Sequence, residues 1–179
     1  MILAITGFTA SGKDTLAKEL SKSFNFVTPT TTRPRREGEV DNYHFIPKDQ
    51  FMSNIEQKKF IEHRSYNTNY KGVKDIWYYG TAYSDISPGT NIVVTDLEGL
   101  QYFKNSEIPV KSVFLNVDVE TRRDRCKSRG DYDETEFLRR LVDDANKYPL
   151  IRILSEVDRV LVNASLEESI EKVHELLCE

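Results

Sequence analysis

Near its start the chain reads Gly7-Phe-Thr-Ala-Ser-Gly12-Lys13-Asp14-Thr15. Glycines placed this way let a loop curl its backbone N–H groups around phosphate oxygens, and a following helix turns its positive end toward the same anion. Lys13 then reaches the β- and γ-phosphates of a nucleoside triphosphate. The residues assigned to triphosphate binding are Gly7, Thr9, Ala10, Ser11, Gly12, Lys13, Asp14 and Thr15. Asp14 stands where a Ser or Thr normally holds Mg²⁺. A carboxylate is a good ligand for a hard cation, directly or through water, and the Thr15 hydroxyl is the alternative. A chance glycine turn is the competing explanation. It fails because the loop lies between a short apolar run and an amphipathic stretch, the setting the chemistry requires.

A second constellation lies in TTTRPRREGEVDNYHF, residues 30–45. Arg33 and Arg36 sit in a Pro-rich loop with Tyr43 close behind. Guanidinium forks suit bidentate phosphate binding, and a phenol can donate to the same anion. Taken alone, the segment reads equally well as a solvated basic loop. A third group is Arg122, Arg125 and Arg129, spaced three and four apart and so on one helix face. Arg140 follows on the next helix, pointing away from an expected core stripe of Phe137, Leu138, Leu141, Val142 and Ala145. Arg125, Arg129 and Arg140 either converge on phosphates or form a solvated face, since acidic residues are interspersed among them.

The elements that must position these groups are legible in outline. Residues 2–6 suit a strand buried on both faces, and residues 13–23 a helix with Leu16, Ala17 and Leu20 inward. A short strand is expected at 26–27, loop and turns over 29–47, and a helix over 48–58 with Phe51 and Ile55 facing inward. Residues 60–90 read as an irregular β-rich insertion. Buried strands follow at 91–95 and 110–117, helices at 119–129 and 134–148, a strand at 159–162 and a helix at 166–178. Alternating strand and helix imply an α/β fold, a parallel sheet covered on both faces, with its site at the carboxyl ends of the strands. Residues 30–85 break that rhythm and suggest a subdomain.

Composition narrows the function. With 179 residues the chain fits one domain, and its formal net charge of −4 argues against bulk nucleic-acid binding. The two cysteines, Cys126 and Cys178, have no metal-ligand spacing and read as free thiols of a reducing compartment. No apolar run is long enough to span a bilayer, and the first residues read as a strand rather than a signal peptide. A cytoplasmic protein acting on small molecules is the expectation.

One family unites these features. TTRPRREGEVDNYHF resembles the acceptor-phosphate segment of guanylate kinases, and GKDTL resembles that family's GKSTL. FIEH at 60–63, YYGT at 78–81 and VVTDLEG at 93–99 are similar to its F-[IL]-E, Y-Y-G-[ST] and L-D-I-D-x-Q-G segments. RCKSRG at 125–130 and FLRRL at 137–141 resemble its lid segments, and LVNAS at 161–165 parallels its I-[VI]-N. The resemblances fall in family order across nearly the whole chain.

The resemblance implies a P-loop NTPase three-layer α/β/α fold with a central parallel sheet, a small β-rich acceptor-binding subdomain and a helical lid. Its expected parts are a core of residues 1–29, 86–118 and 150–179, an acceptor subdomain of 30–85 and a lid of 119–149. It implies ATP as co-substrate with Mg²⁺, and Asn163 joining the ATP site. Lys13, Arg125, Arg129 and Arg140 become the catalytic cations. Arg33, Arg36, Tyr43 and Tyr79 hold the acceptor phosphate. Glu62 and Thr81, with Asp96 and Thr30, face the acceptor base. The chemistry suits Glu62, because a carboxylate accepts from guanine N1–H and the 2-amino group, whereas adenine N1 is a bare acceptor. The implied reaction carries the γ-phosphoryl group of ATP to GMP or dGMP.

This sequence also departs from the family pattern. Pro29 falls where a serine is usual, with Thr30 beside it; Val94 replaces the first aspartate of a pair, leaving Asp96; and the stretch from Glu62 to Tyr79 is long. A nucleoside-monophosphate kinase of different base range is the first alternative. A binding module that has lost catalysis is the second, and the retained Gly7, Gly12 and Lys13 speak against it.

Overall fold

The computed structural model describes residues 1–35, 43–70, 73–128 and 132–179. In chain order it forms β1 (Ile2–Gly7), α1 (Lys13–Leu20), β2 (Asn25–Phe26), β3 (Thr30–Thr31), β4 (His44–Phe45), α2 (Lys48–Glu56), β5 (Phe60–Tyr70) and β6 (Val73–Ala82). A single 3₁₀ turn at Tyr83–Asp85 follows. Then come β7 (Asn91–Val94), α3 (Leu97–Lys104), β8 (Val110–Asn116), α4 (Val119–Ser128), α5 (Glu134–Lys147), α6 (Leu150–Glu156), β9 (Arg159–Val162) and α7 (Leu166–Cys178).

Five strands make a wholly parallel sheet in the order β2-β7-β1-β8-β9. Its central strand, ILAITG, is buried along its whole length, as expected of a strand with helices on both faces. The two faces carry separate cores. Ile2, Ala4, Val93, Phe103 and Phe114 pack with Tyr148 and Ile153 on one side. Leu3, Ile5, Leu16, Leu20, Val113 and Leu161 pack with Val173 and Leu176 of α7 on the other. The alternation of odd and even residues along β1 assigns each to its layer.

The β-rich insertion proves regular. β5 and β6 form a long antiparallel hairpin paired from Phe60↔Ala82 to Tyr70↔Val73, with one irregularity between Phe60 and Glu62. β6 also pairs with β3, giving a second sheet ordered β4-β3-β6-β5. Phe51 of α2 stacks on Phe60 and closes one side of that sheet.

Two further expectations need correction. Between the expected helix ending at 148 and the strand starting at 159 lies a further helix, α6 (Leu150–Glu156), with Pro149 at its N-cap. In α5 the apolar stripe does not all face the core: Phe137 is buried, but Leu138 is 48% and Val142 62% exposed. The buried position one turn on from the stripe is instead Asp144, whose charge is matched by a partner from α4. Among the described residues no helix is long and apolar enough to cross a membrane.

Candidate functional site

The glycine-rich loop leaves the carboxyl end of β1 and enters α1 through Gly12, whose φ of 99° is left-handed. Gly7 has φ 149°, and a Cβ there would meet the Leu115 carbonyl oxygen at 2.7 Å. The backbone therefore demands both glycines, and the close approach of β8 demands Gly7 a second time. Lys13 folds back along the loop, its Nζ donating to the Gly7 and Phe8 carbonyls at 3.0 and 2.8 Å. Arg125 of α4 lies over the loop, with Nη1 donating to the Ser11 carbonyl at 2.8 Å. It also lines a cavity of about 290 Å³ with Gly12, Thr15, Ala164 and Leu166. Two cations thus stand on one short loop beside a cavity, an arrangement suited to a polyphosphate.

The other end of the loop is held by a buried ion pair. Arg122 Nη1 donates to Asp144 Oδ2 at 2.8 Å, linking α4 to α5. The same carboxylate accepts from the Thr9 N–H at 2.9 Å and the Thr9 hydroxyl at 3.0 Å. The Arg122 guanidinium also lies over the Phe8 ring, 4.7 Å from its centre. The expected lid helices are thereby fastened to the loop through Thr9.

The acceptor side grows from the second sheet. Residues paired directly across an antiparallel ladder share a face. Glu62↔Thr81, Arg64↔Tyr79 and Tyr66↔Trp77 therefore line one face of the hairpin, and Tyr79 also pairs with Thr31. Arg33 is buried, its guanidinium 5.4 Å from the centre of the Tyr43 ring, and Tyr43 packs edge-on against Tyr79 at 5.8 Å. The structure brings Arg33, Tyr43 and Tyr79 together; Arg36 lies outside the described residues. Thr30 is buried opposite Gly80.

Glu62 is only 4% exposed. Its Oε1 accepts from the Thr81 hydroxyl at 2.9 Å and its Oε2 from Arg64 Nε at 3.2 Å. Arg64 reaches on to Asp96, which stands just past the end of β7 and N-caps α3 by accepting from the Gly99 N–H. Arg64 Nη2 donates to the Thr95 hydroxyl at 3.3 Å, and the Tyr66 phenol reaches Asp96 Oδ2 at 3.5 Å. Burial lowers Arg64, but Glu62 and Asp96 outweigh it and hold the guanidinium above its ordinary range. Partial burial pushes Tyr66 up to about 12. Arg64, Tyr66 and Asp96 open onto a cleft of about 540 Å³, also lined by Lys147 and Arg152.

Other expected site residues lie apart from these groups. Arg140 is held by Glu136 at 2.7 Å on the exposed face of α5, and Arg129 lies outside the described residues. The Asn163 side-chain oxygen accepts from the Asp118 N–H ahead of α4, so it braces the end of β9 against that helix. Asp14 and Thr15 are exposed in the first turn of α1, and among the described residues no cluster of three acidic, His or Cys side chains could cage a metal.

Two features escaped the sequence. Arg64 was open to detection, since strand alternation places 62, 64 and 66 on one face. The Arg122–Asp144 pair, 22 residues apart, had no local signal, because it depends on how two helices cross.

The family model described as guanylate kinase matches residues 2–179. A guanylate kinase of Wolinella succinogenes is 32% identical over 176 residues, spanning 94% of this chain and 79% of the relative. One of Clostridium tetani is 27% identical over 187 residues, covering 99% and 85%. Among solved structures, a guanylate kinase of Anaplasma phagocytophilum superposes with a TM-score of 0.69 at 22% identity, over 99% of this chain and 84% of that one.

Proposed function

The chain belongs to the guanylate kinase family, and from that premise we propose that it transfers the γ-phosphoryl group of ATP to GMP or dGMP, giving ADP and GDP or dGDP. Residues 1–29, 86–118 and 150–179 act as the donor core, 30–85 as the acceptor subdomain and 119–149 as the lid. The observation that best supports a guanine acceptor is the buried Glu62 carboxylate. Ionised, it is acceptor-only, it is oriented by Thr81 at 2.9 Å, and it shares a hairpin face with Tyr79. Guanine offers two adjacent donors, N1–H and the 2-amino group, to such a carboxylate, and adenine does not.

The acceptor phosphate is already an oxyanion, so the chain needs no general base. What it supplies is position and charge. Loop N–H groups and Lys13 hold the donor phosphates. Arg33 and Tyr43, with Tyr79 and Arg36, hold the acceptor phosphate. Arg125, with Arg129 and Arg140, neutralises charge spread over the transferring group. For Arg140 that requires leaving Glu136. Lid closure then excludes water, which otherwise competes as acceptor.

The donor set near Lys13 suits Mg²⁺ carried with ATP. Asp14 and Thr15 offer hard oxygen ligands in an exposed turn, and Mg²⁺ commonly takes only one or two protein oxygens beside phosphate and water. Bound there, it would supply charge neutralisation to the phosphates of ATP. Both cysteines are free thiols, in keeping with a cytoplasmic enzyme.

A coupled ADP-release assay with ATP and Mg²⁺ tests the reading against GMP, dGMP, AMP, CMP, UMP and dTMP, with an acceptor-free control. Turnover with GMP or dGMP well above the other bases is expected. Turnover led by another base removes Glu62 as the guanine reader, and no acceptor-dependent turnover removes the kinase reading.

A further inference from the structure

Thr9 stands among the expected triphosphate ligands, yet the lid helices take every polar group it has. Its N–H and hydroxyl donate to the two Asp144 oxygens at 2.9 and 3.0 Å. Its carbonyl accepts from Arg122 Nη1 at 3.5 Å. The clamp runs on along the loop, where Arg125 Nη1 donates to the Ala10 and Ser11 carbonyls at 3.4 and 2.8 Å. Three successive loop carbonyls thus accept from arginines of α4. The cavity beside the loop is lined by Ser11, Gly12, Thr15 and Arg125 among the described residues, and Thr9 is not part of its wall.

A carboxylate seated on a phosphate loop is either a stand-in that ATP displaces or a fixed anchor. The surroundings of Asp144 favour the anchor. Its side chain is 8% exposed and ion-paired at 2.8 Å with Arg122, itself 5% exposed. Arg122 lies in turn over Phe8, whose ring packs edge-on against Phe114 and Tyr148 at 5.0 and 5.7 Å. Moving the carboxylate away would strip a buried charge of its partners, which is costly. Arg140, four residues before Asp144 on α5, shares its helix face. Holding Asp144 on Thr9 therefore also sets where that face stands relative to the loop.

We propose that Thr9 and Asp144 are positioning residues of the donor site. The Asp144 carboxylate, backed by Arg122, takes both Thr9 donors, holds the phosphate loop in the shape that receives ATP, and ties that shape to the lid. Neither residue touches ATP. The inference rests on reading residues 7–15 as the ATP site and 119–149 as the lid.

The test measures ATP affinity with Mg²⁺ by calorimetry, at a temperature where circular dichroism shows each variant folded. Thr9→Val keeps the side-chain shape and the N–H but loses the hydroxyl donor. It should weaken ATP binding about 2- to 30-fold, the range over which residues of a coupling network act, and leave KM for GMP unchanged. Thr9→Ser should recover most of that loss. Arg122→Met/Asp144→Leu keeps the net charge and should weaken ATP binding too. Adding Thr9→Val to it should change the affinity by less than about twofold, within the error of such cycles. A full-sized Thr9→Val loss in that background means that the hydroxyl meets ATP directly, and overturns the proposal. Unchanged or tighter ATP binding in Thr9→Val overturns it as well, tighter binding marking Asp144 as a competitor of the phosphates. If the double variant does not fold, amide hydrogen exchange of the wild type decides: equal protection of the Thr9 N–H with and without ATP supports the anchor, and protection gained or lost on adding ATP overturns it. Absence of ATP binding in the wild-type protein instead removes the underlying donor-site reading.

Discussion

Replacing Arg122 by methionine should destabilise the protein severely, and the size follows from its surroundings. The Arg122 and Asp144 side chains are 5% and 8% exposed and 2.8 Å apart. Methionine fills much of the same volume but leaves the Asp144 carboxylate buried, with only the neutral Thr9 N–H and hydroxyl as donors. Breaking a buried pair by removing one partner costs about 3–5 kcal/mol, mostly because the other charge stays uncompensated. For a chain of this size each kcal/mol corresponds to about 2–4 °C in Tm, so a fall of about 6–20 °C is expected. Urea unfolding followed by circular dichroism measures the free energy. Arg122→Met/Asp144→Leu removes both charges, and its loss should be smaller than the sum of the two single losses. A single-variant loss below about 1 kcal/mol, or strict additivity in the cycle, would mean that the pair is not a buried, coupled one.

Three further outcomes are expected. Gly7→Ala pushes a Cβ to within 2.7 Å of the Leu115 carbonyl at a left-handed φ, so ATP affinity by calorimetry should drop with the fold retained or weakened; unchanged affinity contradicts the close-approach argument. Glu62→Gln replaces an acceptor pair by one acceptor and one donor, which should lower kcat/KM for GMP by about 1–3 kcal/mol in transition-state terms, or about 5- to 150-fold, while leaving ATP binding intact. Arg139, with Arg140, holds the Glu136 carboxyl at about 2 against an ordinary 4.5. Its contribution to stability is thus present above pH 4.5 and lost as pH falls toward 2. Because the pair is surface-exposed, thermal melts should separate Glu136→Gln from wild type by less than about 1 kcal/mol at neutral pH, with the gap closing in acid.

What could be read from the sequence follows the range of the forces involved. The phosphate loop was legible because its signal is local: glycines and a lysine between a six-residue apolar strand and an amphipathic helix. The parallel core was legible for the same reason, each buried strand being a short apolar run. The hairpin of β5 and β6 was misread as irregular because its exposed length is polar and aromatic rather than alternately apolar. With the strand unrecognised, the shared face of Glu62 and Arg64 went unseen. Leu138 and Val142 show the opposite error. An apolar stripe on a helix states which face can be buried, and α5 in this structure covers only part of it. Asp144 lies among acidic and polar neighbours that look solvated, and only the crossing of α4 and α5 makes it a buried partner.

The proposed reaction moves one phosphoryl group between two nucleotides, so following that group tests it most directly. ATP labelled at its γ-phosphate is incubated with the protein, Mg²⁺ and GMP, and the products are separated. The label is expected in GDP, in step with the ADP formed. Label released as inorganic phosphate, or retained in ATP while GMP stays unphosphorylated, would contradict it.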